Sequence, residues 1–248
     1  MSMSPMKRGF SSRRWVVSLG SLGGLLVMMV VLMAYVRQPD VLPVEVVEIE
    51  GDFRHQDEAR LQAAIEPWVS SGFFTIDMHS VRVAVEQLPW ISKAKVRRVW
   101  PSTLKITISE HQVLAYWNQD ALVSLRGKVF RPDVASFPED LPRLVGVQGR
   151  AAEMVERFVQ WRAQLADSEL RLNTLSMDRR GAWEMRLEHD VLIRVGRRDM
   201  PSRIRRFIAS LPYLNESQRA RIAKVDLRYV NGFAIAWREA GAETEISV

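Results

Sequence analysis

An uncharged apolar run near the N-terminus constrains this chain more than any other feature. It covers the 22 residues from Trp15 to Val36, with the sequence WVVSLGSLGGLLVMMVVLMAYV. As an α-helix the run is about 33 Å long, which is enough to cross the hydrocarbon core of a bilayer. Trp15 and Tyr35 stand at its two ends, where aromatic side chains favour the membrane interface. We therefore expect residues 15–36 to form a transmembrane helix.

The charges on the two sides of this run predict its orientation. Residues 1–14 contain four basic residues and no acidic one, whereas residues 37–52 contain five acidic residues and one arginine. The positive-inside rule places residues 1–14 in the cytoplasm and everything after residue 36 outside it. A cleaved signal peptide is the alternative, but its apolar core normally has only about 7–15 residues. Whether Gly20 and Gly24 mediate association of this helix stays open.

Composition excludes several classes of protein. The 248 residues include no cysteine, so a disulfide framework, thiol catalysis and cysteine-ligated zinc are ruled out. The net charge is +6, but the N-terminal tail alone carries +4, so the basic balance does not indicate a nucleic-acid partner. No histidine pair has helical metal-ligand spacing, and we predict neither a metal nor a cofactor; the four histidines are His55, His79, His111 and His189.

One short motif resembles a catalytic signature. Ser102 and Lys105 have the S-x-x-K spacing of penicillin-recognising enzymes, in which the lysine lies one helical turn after the serine. Here Pro101 precedes the motif, and Leu104–Ile108 alternates as a strand does, which would place the two side chains on opposite faces. With no other convergent site in the sequence, we predict that the protein is not an enzyme.

The part of the chain after the apolar run predicts two domains of α+β type. Residues 44–112 follow a β-α-α-β-β order, with Asp57 as a helix N-cap and a turn at Trp100-Pro101-Ser102 between the last two strands. Residues 113–238 predict a mixed β-sheet with flanking helices. The predicted organisation is a cytoplasmic tail at 1–14, a transmembrane helix at 15–36, a spacer at 37–43, domains at 44–112 and 113–238, and a flexible tail at 239–248.

The last two predicted strands, Ile222–Tyr229 and Phe233–Trp237, suggest a surface for a partner. Asn231-Gly232 between them is typical of a two-residue hairpin turn. A final strand often lies at a sheet edge, where its free backbone groups can accept a strand from another chain. Phe233, Ile235 and Trp237 would share one face; periodicity leaves open whether the aromatic residues belong to the core or to an interface.

Two long motifs resemble a known family. Leu88-Pro-Trp-Ile-x-x-Ala-x-Val-x-Arg-x-Trp-Pro-x-x-Leu-x-Ile-x-x-x-Glu110 resembles a POTRA module. Val225-Asp-Leu-Arg-Tyr-x-x-Gly-x-Ala-x-x-Trp237 follows in the order found in the FtsQ/DivIB family of bacterial cell-division proteins. Together with a single preceding anchor, these motifs identify the chain as similar to that family over nearly all of its extracytoplasmic part.

This resemblance implies a non-enzymatic scaffold of the divisome in the cell inner membrane. Such a protein links early and late division proteins and helps control septal peptidoglycan synthesis. Its periplasmic C-terminal strands bind the division proteins FtsB and FtsL, and its POTRA module recruits it to the septum, here through Val81–Leu88 and the Val96–Ile108 hairpin. Carried over to this sequence, the partner-binding residues are Arg179, Arg180, Arg228, Tyr229, Asn231, Gly232, Phe233 and Trp237; Arg179 and Arg180 match one family position equally well.

Two further interpretations remain beside this one. An envelope POTRA protein that acts in outer-membrane protein assembly or secretion is the alternative function. The arginine-rich segment Arg194–Arg206, with Asp199, is interpreted either as a solvated basic face or as a surface for an acidic partner or the membrane.

Overall fold

The computed structural model describes residues 24–35, 43–51, 54–55, 57–70, 72–168 and 170–238. The predicted cytoplasmic tail, residues 15–23 and 36 of the predicted span, most of the predicted spacer and the predicted flexible tail lie outside these residues. The chain divides into two compact units between Glu110 and His111. Each unit has a hydrophobic core of its own.

Residues 24–35 form the first described helix, α1. Its large apolar side chains from Leu25 to Tyr35 are 54–65% exposed. At 1.5 Å per residue its described length is about 18 Å. Among the residues that the structure describes, no helix is both long enough and apolar enough to cross a membrane.

The N-terminal unit has the predicted β-α-α-β-β order. Its three strands form a sheet in the order β1-β3-β2, in which β3 runs parallel to β1 and antiparallel to β2. The Asp57 side chain caps the first of its two helices by accepting a hydrogen bond of 3.0 Å from the Ala59 N–H. The elements are β1 (Val46–Glu50), α2 (Glu58–Val69), α3 (Met78–Glu86), β2 (Ile91–Val99) and β3 (Thr103–Glu110).

The core of this unit follows from the apolar periodicity of its elements. Leu61 and Ile65 on α2, and Val81 and Val85 on α3, are buried at the helical spacing of three to four residues. They belong to the same cluster as the buried residues of β3, which alternate along the strand as Leu104, Ile106 and Ile108. The sheet therefore packs one face against both helices.

The C-terminal unit is built on a nine-stranded mixed sheet with the strand order β12-β11-β10-β9-β8-β7-β4-β5-β6. Parallel pairs β4·β7, β7·β8 and β10·β11 are interspersed with antiparallel ones. The strands are β4 (Val113–Trp117), β5 (Ala121–Ser124), β6 (Val129–Phe130), β7 (Arg143–Val145), β8 (Leu172–Met177), β9 (Trp183–Leu187), β10 (Leu192–Gly196), β11 (Ile222–Asp226) and β12 (Ala234–Trp237).

Helices supply the other half of this core. Phe158 and Trp161 on α4 (Ala151–Leu165), and Ile204 and Phe207 on α5 (Met200–Ser210), are almost completely buried in one cluster with the apolar residues of the strands. A short helix, α6 (Glu216–Ala220), begins with a capping box between Asn215 and Gln218. The predicted mixed sheet with flanking helices is thus confirmed for this unit.

The predicted hairpin turn at Asn231-Gly232 is wrong. The strands β11 and β12 pair from Ile222↔Trp237 to Asp226↔Ala234, so the connection comprises residues 227–233. A type I′ turn needs a positive φ at both central residues, and neither Asn231 nor Gly232 has one. β11 ends sooner than predicted because Leu227 continues beside β10 instead: its N–H donates to the Arg194 carbonyl over 2.8 Å.

Candidate partner-binding surface

The predicted partner-binding residues fall at three places in the C-terminal unit. Arg179 and Arg180 lie in the connection between β8 and β9, and the predicted residues from Arg228 to Phe233 lie in the 227–233 loop. The pairings Gly196↔Trp183 and Arg194↔Asp226 place these two connections at the same end of the sheet. Since β9 and β11 are two strands apart, about 10 Å separates them across the sheet. Trp237 lies at the other end of β12, opposite Ile222.

The 227–233 loop is held by contacts with the hydrophobic core and with helix α5. Leu227 is buried in the core, and the Phe233 ring packs edge-on against Phe207 with 5.8 Å between ring centroids. From α5, the Arg206 Nη1 donates to the carbonyls of Val230 at 3.1 Å and Gly232 at 3.4 Å. The loop is therefore fixed at both ends, and its tip is left in solvent.

An ion pair shapes the beginning of this loop. The Asp226 carboxylate accepts from the Arg228 N–H at 3.1 Å and from the Arg228 Nη2 at 2.6 Å. These hydrogen bonds, led by that from the Arg228 side chain, hold the pKa of Asp226 below its ordinary value. Conversely, Asp226 raises the pKa of Arg228. The Arg228 guanidinium is thus already paired within the chain.

Gly196, at the end of β10, lets the Arg228 side chain lie close to the backbone. It has a φ of +86°, and a Cβ at this position would lie 2.9 Å from the Arg203 Nη1 and 3.1 Å from the Arg228 Cγ. Both the backbone conformation and the lack of space favour glycine. The loop, β10 and α5 therefore meet here without room for another side chain.

The β8–β9 connection presents two arginines in a fixed turn. The Asp178 Oδ1 accepts hydrogen bonds of 2.8 Å from the N–H groups of both Arg180 and Ala182. Gly181 follows with a φ of +78°. Both arginines are exposed, and within the described part of the chain neither guanidinium forms an ion pair. Among the described residues, no ion pair would have to break before these arginines pair with external carboxylates.

The sheet face opposite the helices carries a row of polar residues that ends at β12. Glu184, Arg194 and Asp226 are in register across β9, β10 and β11, and the row ends at Ala234. The Arg194 Nε donates to the Glu184 Oε1 at 3.0 Å. Charges therefore alternate in sign along the row, with Ala234 as its small outermost member.

Strand β12 is the outermost strand of the described sheet. Its N–H and C=O groups at Ala234 and Ala236 face β11, because the Arg238 N–H, two residues further along, donates to the Arg221 carbonyl. By the same alternation, the backbone groups of Ile235 and Trp237 face away from the sheet. Trp237 is 42% exposed, whereas Ile235 packs against the core. Small side chains and one aromatic ring thus line the outer edge.

The arginine-rich segment does not form one free basic face. Arg194 pairs with Glu184, Arg206 holds the 227–233 loop, and the Arg203 Nη1 donates to the Val195 carbonyl at 3.0 Å. Arg197 and Arg198 are exposed. Three arginines of the segment therefore form contacts within the fold.

The S-x-x-K pair lies in the N-terminal unit. Ser102 is in the β2–β3 turn, and its Oγ donates to Glu45 at 2.9 Å. Lys105 lies on β3, where it pairs with Glu48 and Glu50. The Ser102 and Lys105 side chains therefore bind different acidic partners. Among the described residues no cluster of histidine and acidic side chains could hold a metal ion.

Sequence reasoning missed two residues that build this surface. Arg206 was grouped with a basic cluster, although it organises the loop, and Glu184 was not singled out although it completes the polar row. The alternation of polar and apolar residues along Trp183–Leu187 already indicated a sheet face open to solvent. The hydrogen bonds of Arg206 are long-range and leave no local sequence signal.

Comparisons with known proteins agree with this architecture. Residues 42–111 match the model of the FtsQ-type POTRA domain, and residues 115–228 match the model of the C-terminal domain of cell division protein FtsQ/DivIB. Cell division protein FtsQ of Allochromatium vinosum is 36% identical over 81% of this chain and 80% of its own length. The corresponding protein of Xanthomonas campestris is 35% identical over 82% and 72%.

The similarity extends over a whole relative. Cell division protein FtsQ of Coxiella burnetii is 30% identical over 94% of this chain and 100% of its own length. The two domain matches occur in the same order as the two structural units and together cover most of the described chain. The chain therefore belongs to the FtsQ family of cell-division proteins.

Proposed function

We propose that the chain is a non-enzymatic scaffold of the divisome that binds the FtsB/FtsL pair through the outer edge of β12. The observation that carries this proposal is the position of β12: no other described strand covers its outer side, and small, exposed side chains line it. A partner strand added there would extend the nine-stranded sheet by backbone hydrogen bonds. Through this contact the protein would link early and late division proteins and help control septal peptidoglycan synthesis.

The proposal includes a single anchor in the inner membrane. Its support is the uncharged run from Trp15 to Val36 and the charge asymmetry around it. Within that run residues 24–35 are helical and expose apolar side chains, as a helix facing lipid would. The part of the chain after residue 36, with both hydrophobic cores, then lies in the periplasm, and the protein acts at the division septum.

The arginines divide into two roles in this proposal. Arg179 and Arg180, which have no acidic partner among the described residues, offer their guanidinium groups to carboxylates of a partner helix. Arg228 instead positions the loop, because Asp226 already holds it. Tyr229 is 58% exposed at the loop tip and supplies an aromatic anchor between these charges and the edge strand.

Recruitment to the septum is assigned to the POTRA unit. Of the predicted recruiting segment Val81–Leu88, Val81 and Val85 are buried, whereas Val83 and Gln87 are exposed. A partner that docks on α3 would therefore contact the Val83 side of the helix. On the Val96–Ile108 hairpin the exposed positions include Arg97 and Trp100.

A pair of substitutions at Trp237 tests the edge-strand proposal. Trp237→Ala removes an exposed aromatic anchor and should weaken binding of the FtsB/FtsL periplasmic segments by about 2 kcal/mol, roughly 30-fold. Trp237→Pro removes the same side chain and also the outward N–H, so it should weaken binding further. The measurement is titration of the purified chain with these segments, and Tyr229→Ala should also reduce copurification.

Leu125→Ala is the matched control. Leu125 is 48% exposed in the turn after β5, near the opposite edge of the same sheet, and its loss should leave binding unchanged. Equal affinities for Trp237→Ala and Trp237→Pro would argue against strand addition. Unchanged binding for Trp237→Ala, Trp237→Pro and Tyr229→Ala would reject the whole surface.

A further inference from the structure

Trp100, on the predicted recruiting hairpin, belongs to an exposed aromatic cluster of the N-terminal unit that is not part of the proposed β12 surface. Trp100 is 68% exposed and Phe74 is 37% exposed, and their ring centroids are 5.4 Å apart. Phe73 is buried beneath them, with its centroid 5.5 Å from that of Trp100. We call Phe73, Phe74 and Trp100 the aromatic cluster. Two large rings held in solvent are unfavourable unless another surface covers them.

The cluster is rigidly supported rather than incidental. The Arg98 Nε donates to the Phe73 carbonyl at 2.7 Å, and its Nη2 donates to the carbonyls of Phe74 at 3.2 Å and Ile76 at 2.7 Å. One guanidinium therefore fastens the loop that carries Phe73 and Phe74 to strand β2, beside Trp100. The rings are presented together by the fold.

The cluster lies at the end of the unit where the chain enters. The Glu45 N–H, at the beginning of β1, donates to the Ser102 carbonyl at 3.0 Å, two residues after Trp100. Only residues 36–42 separate Tyr35, in the apolar helix α1, from Pro43, and the eight Cα steps between them span at most about 28 Å. The covalent link thus confines the cluster to the vicinity of the end of α1.

We infer that the aromatic cluster rests in the phospholipid headgroup region and fixes the POTRA unit against the membrane. Tryptophan rings, which are apolar but carry a polar N–H, are enriched at that interface, and the exposed Trp100 and Phe74 rings present an apolar surface to it. The inference rests on the proposed membrane anchor. Its consequence is that the Trp100 end of the POTRA unit is held at the bilayer, so that recruiting partners would dock on α3 rather than on that end of the hairpin.

The absence of cysteine allows a direct test with the full chain. Thr75→Cys places a single label next to Phe74, and Gln87→Cys places one after α3, at the other end of the sheet. Each labelled chain is reconstituted into vesicles of phosphatidylethanolamine and phosphatidylglycerol that contain a headgroup-spin-labelled phosphatidylcholine. Fluorescence of an environment-sensitive label at residue 75 should be quenched, whereas the label at residue 87 should remain unquenched.

Substitution of the cluster provides the second arm. Phe74→Ala with Trp100→Ala should abolish the quenching at residue 75, whereas Tyr213→Ala, which removes an aromatic ring that is 88% exposed in the other unit, should preserve it. Unchanged hydrogen exchange of β3 shows that the double variant remains folded. Lipid contact by the rings is supported if the folded double variant loses quenching and the Tyr213→Ala variant keeps it.

The outcomes separate this inference from the membrane anchor on which it rests. If the chain floats with vesicles but residue 75 is quenched no more than residue 87, the anchor stands and the inference fails. If the chain does not float, the anchor fails and the inference fails with it. If the double variant loses septal localisation in cells without any quenching at residue 75, a protein covers the cluster and the lipid assignment is overturned.

Discussion

Strands β2 and β12 both lie at the edges of their sheets, yet their outer sides differ. On β2 the outward N–H of Ala94 donates to the Glu86 Oε1 at 3.1 Å, and Arg98 fastens the neighbouring loop to the end of the strand. On β12 the corresponding groups of Ile235 and Trp237 have no strand beyond them in the described part of the chain. One edge is closed by side chains, and the other is left open.

The difference indicates which of the two edges could accept a partner strand. An open edge is a hazard for aggregation, and proteins usually protect it with charge or side-chain cover, as β2 does with Lys93, Lys95, Arg97 and Glu86. The alanines at 234 and 236 give β12 no such protection. We therefore assign strand addition to the C-terminal unit and expect the N-terminal unit to bind through side chains.

The largest expected effect comes from opening the β2 edge at Arg98. Arg98→Ala removes three charge-assisted hydrogen bonds to loop carbonyls, which should lower the free energy of unfolding of the N-terminal unit by about 2–3 kcal/mol. Hydrogen exchange of residues 72–77 and 91–99 in the full chain measures it. Arg97→Ala, which makes no such contact, should change it by less than about 0.5 kcal/mol; equal effects would contradict the closed-edge account.

A smaller effect is expected from uncovering the middle of β2. Glu86→Ala leaves the Ala94 N–H without its acceptor and removes the 2.6 Å ion pair with Arg82, at a cost of about 1–2 kcal/mol. Glu86→Gln keeps an acceptor oxygen and should cost less. Sedimentation should show self-association for the alanine variant only. If neither variant affects stability or association, the carboxylate does not protect this edge.

The two units should also respond differently to pH. His111 is 7% exposed and stacks on Phe130, and its buried Nε2 has no hydrogen-bond partner among the described residues. Burial, together with the nearby Lys128 and Arg126, lowers the pKa of His111. Because the unfolded chain then binds the proton more tightly, the C-terminal unit should lose stability as the pH falls below about 6.5, by at most about 1.4 kcal/mol per pH unit.

His111→Phe is the control for this pH dependence. The phenyl ring can keep the stacking on Phe130 but cannot take up a proton, so the slope between pH 7 and pH 5 should flatten. Urea unfolding of the full chain, monitored by hydrogen exchange of the C-terminal strands, gives the slope of the unfolding free energy against pH. An unchanged slope in this variant would assign the pH dependence to other groups.

The smallest expected effect concerns the loop next to β12. The pKa of Asp226 is lowered by Arg228, so the stabilisation from this ion pair is present above the unfolded pKa of about 3.9 and is lost as the pH falls through the lower folded value. Arg228→Ala should return the pKa of Asp226 towards its ordinary value and loosen residues 227–233. Titration of the Asp226 carboxyl by NMR measures the first effect, and amide hydrogen exchange of residues 227–233 measures the second; an unaltered pKa would rule out this role for Arg228.

Local patterns predicted most elements of the fold. Alternation along β3, helical spacing on α2 and α3, and the cap at Asp57 depend on neighbours within a few residues, and the structure confirms them. The order of the nine strands and the 227–233 loop could not be predicted in this way. The loop is set by the Leu227–Arg194 and Arg206–Val230 hydrogen bonds, whose partners are more than 20 residues apart.

The candidate surface was predictable only in part. Among the predicted partner-binding residues, Arg179, Arg180, Tyr229 and Trp237 are exposed, and their role in binding stays a prediction. Phe233 was grouped with them, yet it packs against Phe207, because alternation cannot tell a core face from an interface. The ion pair between Arg228 and Asp226 likewise depends on the conformation of the loop, which the local sequence pattern does not predict.

Amide hydrogen exchange at single residues of β12 tests the central claim most directly. It is measured on the detergent-solubilised full chain, with and without the periplasmic segments of FtsB and FtsL. Strand addition predicts that binding slows exchange of the outward amides of Ile235 and Trp237, while those of Ala234 and Ala236, already facing β11, change little. Tight binding with unchanged exchange at Ile235 and Trp237 would contradict the account.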